Sequence, residues 1–410
     1  MNDDATLTPD GTATVDAPPA AAPAAPATPP GGYGLAMRFT GSGSEYFRIW
    51  IVNLLLILVT VGLYYPFAKV RRLRYFYGNT QLGGEEFDFH GNPWKMLRGF
   101  LLMAAFGGAY ALASNASPWA ALVALVALAA IWPALFRASM QFRLANTSWR
   151  GLRFQFLGTT AEAYRAMWPM LVALLMYLGA FGFIAPHDGE PRAAAPHTAL
   201  MITAGVGALL VMVLTPWFWY SLKRYQHGHY AIGPVRTELR AGARPFYGVF
   251  LKSAGISLLF LLPLIALGVA AAFAAAGAPR GKANLGVMVF AMPLLAVACY
   301  VGMLIVGGAF VTARLQNLVW SNTRSRELRI ASRVKVGALA GLTAKNWLLT
   351  ALTLGLYIPF ARVAKAKLLV EAVEVTTRHP PQVLTAALRG MGGDAAGDAA
   401  GDLLGFDVGL

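Results

Sequence analysis

The residues best suited to form a polar site stand in a motif that the chain contains twice. Each copy runs from an asparagine through a threonine, a glycine and a tyrosine to a proline, with identical spacing. The members are Asn53, Thr60, Gly62, Tyr64 and Pro66 in the first copy and Asn346, Thr353, Gly355, Tyr357 and Pro359 in the second. A match of this length and order indicates an internal duplication. If both copies are broken helices inside a membrane, their amides and hydroxyls would frame a site of the kind that transporters use.

The same residues also have a structural interpretation. An asparagine in apolar surroundings, such as Asn53 or Asn346, gains about 1 kcal/mol by hydrogen-bonding a neighbouring helix. Thr60 and Thr353 can satisfy a broken backbone in the same way. Both interpretations predict polar groups inside apolar segments, and only the first predicts a ligand.

The composition is that of an integral membrane protein. The chain has 410 residues, of which 57% are hydrophobic and 13% charged, and its mean hydropathy is +0.53. An ordinary globular chain carries about 25% charged residues. The net charge of +15 fits basic residues gathered on the cytoplasmic side of a membrane, since no segment joins a basic face to a soluble recognition fold. We therefore expect membrane lipids as partners and no nucleic acid.

No catalytic residue, metal site or cofactor is predicted, and we do not expect an enzyme. The motifs of zinc proteases, serine hydrolases and phosphate-binding loops are missing, and the six histidines are scattered. The single cysteine, Cys299, excludes an internal disulfide and a cysteine metal cluster. None of the 19 acidic residues lies in an apolar run. That placement argues against a proton relay and leaves Na⁺ coupling through backbone carbonyls open.

Ten basic residues near the cytoplasmic ends of the apolar segments form a candidate rim for anions. They are Arg71, Arg72, Arg74, Arg143, Arg153, Lys223, Arg224, Arg314, Arg329 and Lys367. Basic residues in these positions commonly serve topology and interfacial anchoring. Because they recur around a repeated body, they could also line a vestibule for anionic lipid heads or acidic solutes.

Six apolar runs can cross a bilayer, which takes about 20 residues, or fewer where the bilayer thins. They are residues 99–113, 119–136, 167–184, 198–222, 254–275 and 287–311. The connections 114–118, 185–197 and 276–286 hold only Arg192, Arg280 and Lys282 of the 34 basic residues. The alternate connections are strongly basic, so we expect those in the cytoplasm.

The two motif copies interrupt two further apolar segments, 49–68 and 347–361. Glycine permits a turn, and proline can begin the returning helix. We therefore expect two terminal re-entrant hairpins, each leaving the membrane on the side it entered, with both termini cytoplasmic. The alternative is eight plain spans with both termini outside. It would place Arg362, Lys365 and Lys367 on the outer face, against the charge rule.

The expected fold class is an all-α polytopic membrane protein: six transmembrane helices, two terminal re-entrant hairpins, and short strand segments on the cytoplasmic face. Alternating apolar residues predict strands at 87–89, 154–156 and 328–330, each after a polar pair that ends a helix. Residues 1–36 and 376–410 are expected to be disordered tails. Residues 37–375 form the membrane domain, built of five repeated hairpin modules.

The duplicated motif, with Tyr75-Phe76-Tyr77-Gly78-Asn79-Thr80 after its first copy, resembles the YjgN-like family of bacterial inner-membrane proteins. The resemblance covers about residues 37–375. It implies a multi-pass inner-membrane protein whose function is unknown, and it suggests a membrane-associated peptidase as a partner. The leading hypothesis from the residues is transport or lipid and amphiphile handling between two broken-helix hairpins. The alternative is a non-catalytic membrane scaffold for such a peptidase, and the oligomeric state is left open.

Overall fold

A computed structural model describes residues 32–184, 197–277, 285–383 and 385–386. Most of both predicted tails lies outside the described residues. So do most of the predicted outer connections 185–197 and 276–286, with their three basic residues.

The described chain is mostly helical. Its helices are α1 (Gly43–Val59), α2 (Tyr65–Gly78), α3 (Pro93–Ala116), α4 (Pro118–Ala145), α5 (Thr160–Ile184), α6 (His197–His227), α7 (Arg244–Gly277), α8 (Leu285–Ser321), α9 (Val336–Leu352) and α10 (Ile358–Glu371). Both terminal hairpins consist of one helix of 17 residues and one of 14.

Short strands connect the helices. They are β1 (Tyr33–Phe39), β2 (Thr80–Leu82), β3 (Glu85–Phe89), β4 (Thr147–Trp149), β5 (Leu152–Phe156), β6 (Tyr230–Ile232), β7 (Val235–Arg236), β8 (Glu238–Leu239), β9 (Thr323–Arg324), β10 (Leu328–Ser332) and β11 (Val373–Thr377). All eleven belong to one antiparallel sheet in the order β7-β6-β5-β4-β3-β2-β1-β11-β10-β9-β8.

The sheet curls into a nearly closed barrel. Its first and last strands, β7 and β8, are separated along the chain by Thr237 alone. β7 pairs with β6, whereas β8 pairs with β9. The amide of Thr237 donates to the carbonyl of Tyr230 at 2.9 Å. One continuous segment thus joins the two ends of the sheet.

The barrel has an apolar interior contributed by alternate residues of nearly every strand. The packed side chains include Leu35, Leu82, Phe87, Trp149, Leu152, Phe154, Ile232, Val235, Leu328, Ile330 and Val375. The predicted strand segments are therefore confirmed, but the all-α expectation is wrong, because the strands form one continuous structure with its own core. Pairing between β1 and β11, at opposite ends of the chain, could not be read from local alternation.

Five modules of strand, helix, helix and strand build both the barrel and the helical layer. In each module, the residue after the first strand donates its amide to the carbonyl of the residue that precedes the second strand. The five pairs are Thr40–Asn79, His90–Asn146, Leu157–His229, Arg240–Asn322 and Arg333–Ala372, with distances of 2.8 to 3.0 Å. This recurring bond marks the five units as repeats of one design.

The polar pairs identified in the sequence end the second helix of a module. The side-chain amide of Asn79 donates to the Tyr75 carbonyl at 2.8 Å, and the Thr80 hydroxyl donates to the Phe76 carbonyl at 2.7 Å. Asn146-Thr147 and Asn322-Thr323 repeat both bonds. These bonds satisfy carbonyls left without a partner at the helix end. In the third module His229 takes the place of asparagine, with Nδ1 at 2.8 Å from the Tyr225 carbonyl.

The entry to the first helix depends on close packing in three modules. The Phe39 ring lies over Gly41, and a Cβ at that glycine would come within 2.9 Å of the ring. Phe89 with Gly91, and Phe156 with Gly158, repeat the contact at 2.4 and 2.7 Å. Glycine is required there because nothing larger fits beneath the ring.

The helices form a closed ring above the barrel. Each helix packs against the next one along the chain, and α10 packs against α1. The two short hairpins are consequently neighbours, with the Phe47 and Phe360 rings 5.7 Å apart. The ring therefore has three tall modules and two adjacent short ones.

Among the residues that the structure describes, five helices are long and apolar enough to span a membrane. They are Pro93–Ala116, Trp119–Ala145, Ala204–His227, Arg244–Ala270 and Met292–Ser321. Each contains or overlaps a predicted span. The sixth predicted span, 167–184, lies within α5 and is not among the five. The fold is thus that of a multi-pass membrane protein.

Candidate functional site

The first motif copy forms a tight turn between α1 and α2. The Thr60 hydroxyl donates to the Leu56 carbonyl at 2.7 Å and accepts the Tyr64 amide at 2.9 Å. The Gly62 amide donates to the Ile57 carbonyl at 2.8 Å. Gly62 has φ +90°, a region that glycine occupies at little cost. The threonine and the glycine therefore satisfy the turn's polar backbone locally.

The second copy forms the same turn. The Thr353 hydroxyl bonds the Leu349 carbonyl at 2.7 Å and the Tyr357 amide at 3.0 Å. Gly355 has φ +93°, and its amide donates to the Thr350 carbonyl at 2.8 Å. Pro66 and Pro359 lie in the first turn of the returning helices. Their role is structural, as proline has no amide to leave unsatisfied there.

The tips of both turns are apolar and exposed. Val61 is 92% exposed and Leu354 is 94% exposed, and both have φ +49°. That conformation is uncommon outside glycine, and most strained for a β-branched residue such as Val61. The tips thus present hydrophobic side chains, while the irregular backbone is satisfied within the turn.

The two motif asparagines are buried. Asn53 and Asn346 are each 6% exposed, and the Oδ1 atom of each has no hydrogen-bond partner. The Asn346 amide donates to the Ala361 carbonyl of α10 at 3.3 Å. A buried acceptor without a partner costs about 1–3 kcal/mol, so a donor group placed against either oxygen would be favourable.

Asn346 opens onto a pocket of about 480 Å³ between α9 and α10. The lining residues are Thr343, Asn346, Trp347, Thr350, Ala351, Ile358, Ala361, Arg362 and Lys365. Thr343, Asn346 and Thr350 stand at i, i+3 and i+7, which places them on one face of α9. The pocket combines hydroxyl, amide and cationic groups with apolar side chains, a mixture suited to an amphiphile.

Most of this lining was missed by the sequence reasoning, which selected Asn346 but not Thr343, Thr350, Arg362 or Lys365. The signal was present as the helical spacing of the polar residues around Asn346. The first hairpin lacks this polar spacing, because Trp50 and Ile57 occupy the positions equivalent to Thr343 and Thr350.

The predicted basic rim does not form one surface. Arg71, Arg74, Arg224, Arg314 and Lys367 are exposed on helices, whereas Arg153 and Arg329 are exposed on β5 and β10. Several members make local contacts. Arg74 donates to the Gly91 carbonyl at 3.3 Å, and Arg224 bonds the Tyr220 hydroxyl at 3.0 Å.

Two rim members lie inside the ring, near its barrel end. Arg143 is close enough to Lys223 to interact with it electrostatically. Lys223 donates to the Gln226 side chain at 2.8 Å. The neighbouring His227 is buried, with Nδ1 at 3.1 Å from the Thr323 hydroxyl. These contacts join the ends of α4, α6 and α8 in a polar, cationic cluster.

No metal centre is built by the described residues, in which no three His, Cys, Asp or Glu side chains are grouped to hold an ion. Cys299 is buried with a free thiol.

The model of a family described as "Bacterial protein of unknown function (DUF898)" matches residues 34–403. The chain belongs to this family. No solved structure matches it.

Relatives of the chain are inner membrane proteins called YjgN. The protein from Salmonella typhimurium strain LT2 is 30% identical over 141 residues, which cover 34% of this chain and 36% of that protein. The Escherichia coli O157:H7 protein is 24% identical over 172 residues, covering 41% and 43%. The Escherichia coli K12 protein is 29% identical over 119 residues, covering 29% and 30%. The aligned part thus spans less than half the length of each relative. With the five apolar helices, this family membership identifies a multi-pass inner-membrane protein.

Proposed function

We propose that this DUF898 member binds and moves an anionic amphiphile, such as a lipid, through the pocket of its second hairpin. The observation that carries the proposal is the pocket lining. Arg362 and Lys365 offer positive charge, Asn346 offers an unused buried acceptor, and Trp347 and Ile358 offer apolar surface. An anionic head with a hydroxyl or amine donor and an apolar tail would satisfy all three features.

The two short hairpins are re-entrant in this proposal. Tyr65, the first residue of α2, lies beside Phe100 of α3 with ring centroids 5.8 Å apart. α3 continues from there to Ala116, roughly 24 Å further at 1.5 Å per residue. This difference in length between the short hairpin and α3 supports a turn that ends well inside the bilayer. With α5 as the sixth span, both ends of the membrane domain then lie on the barrel side, which the charge rule assigns to the cytoplasm.

A side entrance to the ring follows from the same geometry. A buried proline stands at an equivalent distance from the helix end in four of the five returning helices: Pro66, Pro133, Pro216 and Pro359. In α4 and α6 the helix also extends on the far side of this proline, whereas α2 and α10 begin there. The ring of helices is therefore shorter on the side where the two short modules lie. An apolar tail could enter above the exposed tips at Val61 and Leu354 without crossing a complete helix.

The test removes the positive charge of the pocket. Arg362→Gln with Lys365→Gln should reduce retention of fluorescent phosphatidylglycerol by purified protein at least tenfold, since two charge-assisted contacts are lost. Phosphatidylcholine is the comparison lipid. Lys345→Gln is the matched control, because Lys345 is exposed on the facing helix α9 and does not line the pocket. Equal retention by the double variant and the control would sink the proposal.

A scaffold for a membrane-associated peptidase is the second candidate. The observation in its favour is an acidic strip, Glu85, Glu86 and Asp88, exposed on β3 of the barrel. A scaffold role predicts that Glu86→Lys with Asp88→Lys abolishes co-purification of the peptidase and leaves lipid retention unchanged. Co-purification that survives both changes would remove this candidate.

A further inference from the structure

A second pocket lies on the outer face of the barrel, beside strands β7 to β10. Its volume is about 640 Å³. The lining residues are Gly228, Arg236, Thr237, Glu238, Arg240, Arg324, Ser325, Arg326, Glu327, Arg329 and Arg378. Six guanidinium groups face this space against two carboxylates.

Both carboxylates already have basic neighbours. Glu238 is bonded to Arg240, and Glu327 lies 3.5 Å from Nε2 of His379. The other five arginine side chains have no hydrogen bond or ion pair with any residue that the structure describes. They are Arg236, Arg324, Arg326, Arg329 and Arg378.

The sheet register forces two of these arginines together. Arg324 of β9 stands directly opposite Arg329 of β10. Like charges in that position destabilise a sheet. A bound anion would turn this repulsion into two favourable contacts.

We propose that this pocket binds phosphoryl groups of a cytoplasmic ligand. The planar guanidinium donates two parallel hydrogen bonds to phosphate oxygens, so an arginine cluster suits phosphate better than a lysine cluster would. The volume falls in the range of small-molecule sites and exceeds the need of a single inorganic phosphate. The ligand is therefore a molecule with more than one phosphoryl group or a phosphorylated lipid head. The proposal goes beyond the amphiphile site and does not depend on it.

The experiment uses the full chain in nanodiscs of phosphatidylcholine. One arm titrates pyrophosphate by calorimetry. The other measures retention of fluorescent phosphatidylglycerol after detergent extraction, with Arg362→Gln and Lys365→Gln present in the parent, test and control proteins so that the amphiphile pocket does not contribute. The test variant is Arg324→Gln with Arg329→Gln. Arg38→Gln is the matched control, because Arg38 is exposed on β1 opposite Gln81 and outside the pocket.

We expect at least one probe to bind, and the double variant to bind it at least about tenfold more weakly than the control does. The probe that binds identifies the source of the phosphoryl group. The double variant should melt at the same temperature as the unliganded parent or higher, because a like-charge pair has been removed. Binding that is equal in the double variant and the control would overturn the proposal, and so would the absence of binding in both arms.

Discussion

The two terminal hairpins have the same backbone and different linings. Their helices have equal lengths, and their turns share every backbone and threonine bond described above. Around that common frame, the first hairpin places Trp50 and Ile57 where the second places Thr343 and Thr350. Lys69 of the first is buried, whereas the equivalent Arg362 of the second is exposed to the pocket. The duplicated motif therefore specifies a fold-back, and the residues on the facing helix surfaces decide whether that fold-back also carries a site.

The largest expected effect tests whether the first hairpin is the structural one. Trp50 packs against the cluster of Phe39, Tyr46, Tyr75 and Val363. Trp50→Ala should lower the free energy of unfolding by about 3 kcal/mol, because a large apolar side chain leaves a cavity. The measurement is thermal unfolding of the purified protein followed by intrinsic fluorescence.

Thr343→Ala is the matched substitution in the second hairpin. The Thr343 hydroxyl only donates to the Leu339 carbonyl within its own helix, at 2.7 Å. Its removal should change stability by less than about 0.5 kcal/mol. If both substitutions destabilise the protein equally, the division into a structural and a binding hairpin is wrong.

Local features of the fold could be predicted from the sequence because they rest on local chemistry. The Gly62 and Gly355 turns, the Asn-Thr helix ends and the alternating strands each involve residues within a few positions of one another. The membrane class and the family also follow from composition and from the ordered motif.

Closure of the barrel could not be predicted in the same way. β7, β8 and β9 have only two residues each, too few to show alternation. β7 and β9 pair with β6 and β10 through short hairpins, but β8 meets β9 only across the whole α7–α8 module. The pockets were missed for a related reason. Arg324 and Arg329 become neighbours only through the sheet register, and Arg362 faces Asn346 only after the second hairpin folds back.

A smaller effect separates the roles of the two buried asparagines. Asn53→Leu removes an Oδ1 atom that has no partner, and it should stabilise the protein by about 1 kcal/mol. Asn346→Leu removes a similar atom but also loses the bond to the Ala361 carbonyl, so its net effect should be close to zero. The difference in stability between the two variants is measured from their melting temperatures.

The same pair of variants also sharpens the functional comparison. Asn346→Leu should weaken lipid retention, whereas Asn53→Leu should not. If Asn53→Leu lowers lipid retention and Asn346→Leu does not, the proposal has assigned the site to the wrong hairpin.

The last comparison concerns a tyrosine that only the first hairpin has. Tyr75 donates to the Ser42 carbonyl at 2.7 Å, and Leu368 stands at the equivalent position of the second hairpin. Burial, helped by the Glu45 carboxylate, raises the pKa of Tyr75 from 10.0 to about 12. The unfolded chain therefore loses this proton at lower pH than the folded protein. The stability that the group contributes is complete below pH 10 and is lost as the pH rises through 12. Between pH 10 and pH 12, the melting temperature of the parent protein should fall further than that of Tyr75→Phe. The difference between the two melting temperatures therefore narrows. Parallel decreases for both proteins would show that the alkaline sensitivity arises elsewhere than in the first hairpin.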